Sequence, residues 1–282
     1  MIGTEFFRGQ GFGNQLWVYA SLRSLAIDQN LDFSIIGSHR FKGKDFMKLD
    51  FGSATLRSTA RIPRERTPGA FTSYLREELI REPQFNFDVS PADVNFFQLK
   101  PNTLLDGNMQ SLSYISTHKN EISNWFKVPG ETFDGCVINF RGGEYKGISN
   151  VFLGPNYYKK AIEHILSINA NMNFLVVTDD AEKAREYFPN YRIISSGGVK
   201  IIAGRIYISP PSKLIGRDFA ILQNARYLIL SNSSFSWWGA WTNQIAEVVI
   251  APKYWAAYNV SKSFWSTAEI AEPTWTWKGR ES

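Results

Sequence analysis

After residue 130 short runs of β-branched and aromatic residues alternate with longer runs of helical spacing, and this rhythm restricts the fold more than any other feature of the chain. Strands are predicted at Val137-Ile138-Asn139-Phe140, Phe174-Leu175-Val176-Val177, Tyr227-Leu228-Ile229-Leu230 and Val248-Val249-Ile250, with further candidates at Arg192-Ile193-Ile194 and Ile206-Tyr207-Ile208. Between them, Tyr158, Ile162 and Ile165 mark a helix entered through Pro155-Asn156. Helices are also predicted near Ala181 to Tyr187, from Ser212 to Asn224 and over 234 to 246. Strands separated by helices need parallel crossovers, so the predicted class is α/β with a doubly wound sheet. Such a sheet places its ligands at the carboxyl ends of the strands.

The N-terminal end follows the same logic. Residues 2 to 7 are apolar enough for a strand, and the glycines at 9, 11 and 13 break that pattern before Asn14. Val18, Leu22, Leu25 and Ala26 then fall on one face of a helix, and Asp32 to Gly37 supplies a second strand, which completes a βαβ unit. From about 38 to 110, prolines at 63, 68, 83, 91 and 101 interrupt longer elements, so this stretch is expected to be loop-rich. Val128-Pro129-Gly130-Glu131 reads as a linker. The expected division is a first domain over 1–127, a second over 128–252, and a C-terminal segment, 253–282, that packs back on the first.

With 44% hydrophobic and 20% charged residues among 282, the chain has the balance of a globular protein, not of a disordered or fibrous one. The net charge of +5 suits an anionic ligand, an anionic membrane surface or nucleic acid. The excess gathers in His39-Arg40-Phe41-Lys42-Gly43-Lys44 and in Arg57, Arg61, Arg64 and Arg66, without any nucleic-acid-binding motif. Nucleic acid is therefore not an expected partner, whereas peripheral contact with the anionic inner face of the plasma membrane stays open. Cys136 has no partner cysteine and lies in an apolar run, which fits a reducing cytoplasm. The first residues lack a basic stretch followed by an apolar core, and no window approaches the roughly 18 apolar residues of a membrane span. Neither export nor spanning is expected. His39, His118 and His164 are scattered, so no metal site is expected, and there is neither a Gly-x-Ser-x-Gly elbow nor a phosphate-binding loop ending in Gly-Lys-Ser/Thr. Thr178-Asp179-Asp180 could hold a divalent cation, but a helix capped by aspartate explains it more simply.

Three polar clusters each follow a predicted strand. In Gly9-Gln10-Gly11-Phe12-Gly13-Asn14-Gln15 the glycines, Gly11 and Gly13 among them, let backbone N–H groups approach an anion at a helix start; the alternative is a tight turn with no ligand. In Asn139-Phe140-Arg141-Gly142-Gly143-Glu144-Tyr145 the planar fork of Arg141 matches a diphosphate, where a cation would stabilise charge developing on a leaving group. The alternative there is a surface Arg–Glu pair. The third cluster, Ser231-Asn232-Ser233-Ser234-Phe235-Ser236-Trp237-Trp238-Gly239-Ala240-Trp241, combines hydroxyls with helix-terminal amides and makes either an anion site or a plain N-cap. Its tryptophans suit sugar stacking or core packing.

Taken in order, these segments resemble the bacterial α-1,2-fucosyltransferases of glycosyltransferase family 11. Gly11-Phe12-Gly13-Asn14-Gln15-Leu16 with Tyr19-Ala20 looks like the family's N-terminal signature, and Gly107-Asn108-Met109-Gln110-Ser111 looks like its mid-chain segment. Pro155 to Ile162, Val177-Thr178-Asp179-Asp180 and Asn232 to Trp241 are similar to later segments. The resemblance implies a GT-B architecture of two facing Rossmann-like domains, GDP-fucose as donor, a galactoside-containing glycan as acceptor, no metal cofactor, and inversion at the anomeric carbon.

Residue by residue, the resemblance puts Arg141 where the family's diphosphate-binding arginine stands and Asp218 where a carboxylate binds guanine. It puts Ser233, Ser234, Phe235 and Ser236 on the phosphate side, with Gly11, Gly13 and Asn139 lining the donor site. Arg141, Glu144 and Asn14 form the expected catalytic set, with Glu144 as candidate base. The family usually reads His-x-Arg-Arg-Gly-Asp-Tyr where this chain has Asn139 to Tyr145, so the histidine and the second arginine are missing. One remedy is a cation lent by the basic segment from Arg40 to Lys44. The departure leaves two alternatives to fucose transfer: another GDP-sugar such as GDP-colitose, or a domain that binds a nucleotide sugar without catalysis.

Overall fold

The computed structural model describes residues 1–53, 73–77, 80–82, 87–89, 94–197, 199–202, 205–208, 212–257, 264–266 and 270–280. Arg57, Arg61, Arg64 and Arg66, and the prolines at 63, 68, 83 and 91, lie outside them. Two compact units emerge: Met1–Phe126 with Ala268–Ala271, and Lys127–Thr267 with Glu272–Ser282.

In the first unit β1 (Ile2–Glu5), α1 (Phe12–Asp28) and β2 (Phe33–Ile36) form the predicted βαβ, with β1 parallel to β2. The helix starts earlier than the glycine spacing suggested, so Gly11 is its N-cap and Gly13 and Asn14 fall in its first turn. Nor is α1 apolar on a single face. Leu16, Trp17, Val18, Tyr19, Ala20, Leu22 and Leu25 are all buried, because the Tyr19 ring packs against Trp125 and Phe126 as well as Phe33 and Phe51. Trp125 ends α2 (Lys119–Trp125).

The stretch expected to be loop-rich contributes two strands to the sheet of the first unit. These are β3 (Ser73–Arg76) and β6 (Thr103–Asp106), in the parallel order β2-β1-β6-β3, while β4 (Ile80–Glu82) and β5 (Phe87–Val89) pair as an antiparallel hairpin. Four-residue strands between proline-rich segments give too few alternations to be read as periodic; only the pairing of β6 with β1, and of β3 with β6, fixes them.

The second unit carries a six-stranded parallel sheet. Its strands are β7 (Phe133–Phe140), β8 (Phe174–Thr178), β9 (Arg192–Ser195), β12 (Ala225–Ile229), β13 (Val248–Pro252) and β16 (Thr276–Lys278), in the order β16-β13-β12-β7-β8-β9. The candidate at 206–208 belongs instead to a hairpin of β10 (Val199–Ile202) with β11 (Arg205–Ile208). A further hairpin joins β14 (Tyr254–Ala257) to β15 (Phe264–Ser266).

Side chains alternate across the sheet as the two-residue period requires. Cys136, Ile138 and Phe140 face Tyr157, Tyr158, Ala161 and Ile165 of α3 (Pro155–Ile168) and Ala184 of α4 (Ala181–Tyr187). Val137, Leu175, Val177 and Leu228 face Leu222 of α5 (Ser212–Gln223) and Ala240 of α6 (Ser234–Trp241). The α/β class with a parallel sheet in each unit is thus as expected. No helix among the described residues is long and apolar enough to cross a membrane.

The C-terminal segment departs from expectation. Only Ala268–Ala271 groups with the first unit; β16 extends the second sheet beside β13, and the Trp241 Nε1–H donates to Glu272 Oε2 at 3.0 Å. The cause is an open parallel edge on β13 together with Arg280, whose guanidinium donates to the carbonyls of Asn150 (2.6 Å), Phe152 (2.9 Å) and Trp255 (3.1 Å). Arg280 is itself buried. Arg280→Ala should therefore cost the second unit about 3 kcal/mol, since several charge-assisted bonds to carbonyls go together. Urea denaturation followed by tryptophan fluorescence measures this, and an unchanged midpoint would show that the segment is merely draped on the sheet.

Candidate active site

The second sheet reverses its winding at β7. From β7 the chain steps to β8 and β9 on one side, then returns through α5 to lay β12 on the other side. Beyond the carboxyl ends of β7 and β12 the chain continues into α3 and α6 on opposite faces of the sheet, the arrangement that gives an open α/β sheet its ligand crevice. Arg141 directly follows β7, and Ser231 to Ser233 follow β12, so two of the three polar clusters flank this point.

Arg141 sits between two carboxylates. Its Nη2 lies 2.5 Å from Glu144 Oε1 and its Nη1 2.5 Å from Asp179 Oδ2, while its guanidinium carbon stands 5.3 Å from the centre of the Tyr145 ring. About a third of the side chain remains exposed, at 32%. Glu144 is 59% exposed, whereas Asp179 is nearly buried, and burial pushes its carboxyl above the ordinary value against the pull of Arg141. The Gly142 amide donates to Asp179 Oδ1 at 2.9 Å.

The two glycines are explained by these acids. A Cβ on Gly142 would stand 2.5 Å from Asp180 Cβ, and one on Gly143, which has φ +29°, would run into Asp179 Oδ2. The space that the missing second arginine would enter is therefore filled by Asp180. That residue caps α4, accepting from the Lys183 amide at 3.1 Å, and pairs with Lys146 Nζ at 2.6 Å. Asp179 and Asp180 thus serve a guanidinium, an ammonium and a helix cap, and the capping explanation of Thr178-Asp179-Asp180 is the one the geometry bears out. Among the described residues no group of three or more His, Cys, Asp or Glu side chains is placed to hold a metal ion.

Asn139 is almost fully buried, and its side chain links β7 to β8 and to the loop after β12: Oδ1 accepts from Ser231 Oγ at 2.5 Å, and Nδ2 donates to the Val177 carbonyl at 3.4 Å. It positions the loop after β12 against β7. In that loop Ser233 caps α6 by accepting from the Phe235 amide, and Asn232 Nδ2 donates to the carbonyls of Val151 and Trp255 at 2.8 and 2.7 Å. Ser236 differs from its expected role. It has no exposed surface, and its hydroxyl bonds the carbonyls of Ser231 and Ser233, so it closes the loop. Ser234 and Phe235 keep partial exposure at the start of α6. The tryptophans are core: Trp237, Trp238 and Trp241 are at most 2% exposed and pack on one another with centroids 5.0 to 5.5 Å apart.

Asp218, on α5, is 2% exposed, and burial raises its carboxyl above the ordinary value, opposed by hydrogen bonds from Ser196 and Arg217. Arg217 reaches Oδ1 through Nε at 2.9 Å and Nη2 at 2.7 Å.

In the first unit the N-terminal and mid-chain signatures meet, with Gln110 Nε2 donating to Asn14 Oδ1 at 3.1 Å. Gln15 is structural, its amide joining the Arg40 carbonyl and the Lys42 amide at 3.0 Å each. Glu77, buried and absent from the sequence reading, holds the Met109 amide at 2.9 Å and the Tyr114 hydroxyl at 2.9 Å, with Gly107 pressed against it. Arg40, the proposed lender of charge, is held within its own unit by Glu5 at 3.2 Å and the Phe6 carbonyl at 2.8 Å. Asp179, which pairs with Arg141, and Lys146, which pairs with the adjacent Asp180, were not among the expected donor-site residues. Their only signal was spacing: an acid directly after β8, and a lysine one turn beyond Gly142.

Residues 141–278 match the model of glycosyl transferase family 11. The chain is 23% identical to the O-antigen biosynthesis glycosyltransferase WbnK of Escherichia coli, covering 88% of this chain and 93% of that protein. It is 24% identical to an α-1,2-colitosyltransferase of the same organism, covering 90% and 92%. A crystal structure of the α-1,6-fucosyltransferase NodZ soaked with GDP-fucose aligns over 93% of this chain and 96% of NodZ, with 15% identity and a TM-score of 0.48. The matched segment begins at Arg141 itself and takes in the loops after β8 and β12, so the likeness to glycosyl transferase family 11 lies in the second unit and includes the switch-point loops.

Proposed function

We propose that the protein is an inverting glycosyltransferase that moves fucose from GDP-fucose onto a galactoside-containing glycan, in α-1,2 linkage, during surface polysaccharide or O-antigen assembly. The observation that carries this reading is the placement of Arg141 and of the serine start of α6 on the two sides of the switch point between β7 and β12. A guanidinium and a helix N-terminus there suit a diphosphate. Asp218 is the carboxylate that accepts the paired N–H groups of guanine, pre-aligned by Arg217.

In the reaction, an acceptor hydroxyl attacks the anomeric carbon from the side opposite the diphosphate. The bond to the diphosphate breaks with its electron pair on the departing oxygen, and the hydroxyl proton passes to a carboxylate. Glu144, the exposed carboxylate beside Arg141, is the candidate acceptor of that proton. Charge developing on the departing diphosphate is met by Arg141 and the amides of the first turn of α6. Because Asp179 and Asp180 are already paired with cations, no divalent metal is assigned to them.

A second reading, transfer of colitose from GDP-colitose, is favoured by the similarity to an α-1,2-colitosyltransferase and by the departure at Asn139 and Gly142. The two sugars differ by one hydroxyl, and both readings share the nucleotide. A donor panel of GDP-fucose, GDP-colitose, GDP-mannose and UDP-galactose, with and without EDTA and with released nucleoside diphosphate as readout, decides between them. GDP release from GDP-fucose, undiminished by EDTA, is the expected result; release from the UDP donor alone would remove the proposal.

Arg141→Lys should lower turnover on the order of 100-fold, because a point ammonium cannot reproduce two parallel bonds to phosphate oxygens. Steady-state kinetics near wild type would reduce Arg141 to a surface residue. Asp218→Ala should weaken GDP roughly tenfold while changing UDP little, since only guanine loses its paired acceptor. Calorimetry showing equal losses for the two nucleotides would remove the guanine assignment.

A further inference from the structure

Gly142 leaves the domain one cation short of the usual pair, and Asp180 fills the space that a side chain at that position would need. The backbone supplies another route to the same place. After Gly143 the chain turns through a short 3-10 helix, Tyr145–Gly147, and the Lys146 amide donates to the Gly142 carbonyl at 3.0 Å. This return carries the lysine side chain back over the glycine. Asp180 Oδ2 lies 3.0 Å from the position of a Cβ on Gly142 and 2.6 Å from Lys146 Nζ. The ammonium therefore stands within an arginine's length of Gly142, on the same wall of acids that orients Arg141.

We infer that Lys146 is the second diphosphate-binding cation of this domain, taking over from a neighbouring turn the role that an arginine at position 142 would have. The inference rests on the nucleotide-sugar reading above and assigns a residue to its diphosphate end. Lys146 is 52% exposed and its partner Asp180 10%, so the carboxylate is a fixed anchor while the ammonium is accessible to an anion. Lysine has three donors in a rotatable head, which allows it to keep Asp180 and donate to a phosphate oxygen at once. The equivalent pairing of Arg141 with Asp179 places both cations on adjacent acids of the loop that follows β8. Arg40, by contrast, is already held by Glu5 and the Phe6 carbonyl.

The test is calorimetric titration of the purified full chain and its Lys146→Gln variant with GDP and with GMP. Loss of the second cation should weaken GDP about tenfold, the order of one charge-assisted hydrogen bond to phosphate, and leave GMP within a factor of about two. Lys146→Arg should recover most of the GDP affinity. A structural role would instead weaken both nucleotides together and lower the melting temperature, and that result overturns the inference. So does unchanged GDP affinity in Lys146→Gln. A wild-type chain that binds neither nucleotide removes the nucleotide-sugar reading and this one with it, so the two failures are told apart by whether the unmodified protein binds GDP.

Discussion

The site depends on one pairing of strands, β12 against the free side of β7. The strand that opens the second sheet ends at its centre, and its neighbours come from different parts of the chain: β8 from the next crossover and β12 from a return of more than eighty residues. Because all three run parallel, their carboxyl ends lie together, and whatever follows them is gathered at one edge. Arg141, Asp179 and Ser231 are such residues. Asn139 makes the dependence visible, since its buried amide bonds a serine beyond β12 and a carbonyl of β8 from a position on β7. An unpaired amide there would be costly, so the register of the three strands and the shape of the loop are set by the same side chain.

Charge is organised around that edge with little slack. Two adjacent acids after β8 hold one cation each, and both glycines after β7 are needed because the acids stand where their side chains would be. Of these groups only the two acids are largely shielded from water, and burial pushes the Asp179 carboxyl above its ordinary value although it faces a guanidinium. The same arrangement explains why this chain does not carry a second arginine: with Asp180 so close, a longer side chain on residue 142 would displace a helix cap as well as a salt bridge.

The parts of the second unit farther from the strand ends are built for stability. Three tryptophans of α6 pack as core against the C-terminal segment, and Arg280 ties that segment to three backbone carbonyls. The serine motif therefore has two halves with different tasks. Its first residues shape a helix start near the crevice, and the rest anchors that helix so that its amides stay in place.

The α/β class, the strands β7, β8, β9, β12 and β13 with the helices between them, and the position of Arg141 at a strand end followed from local periodicity, because parallel strands between helices leave a strong pattern in every window. Periodicity did not reveal β3 and β6, which are too short to show it, or β16, which is a strand only because β13 offers an open edge. The resemblance also put Ser236 on the phosphate side, and local pattern left the tryptophans undecided, since burial is a property of what surrounds a residue and not of the residue. The pairing of Arg141 with Asp179 and of Lys146 with Asp180 joins segments more than thirty residues apart. Such contacts exist only once β7 and β8 lie side by side, so the sequence alone determined which chemistry was available, and the tertiary structure decided which groups meet to perform it.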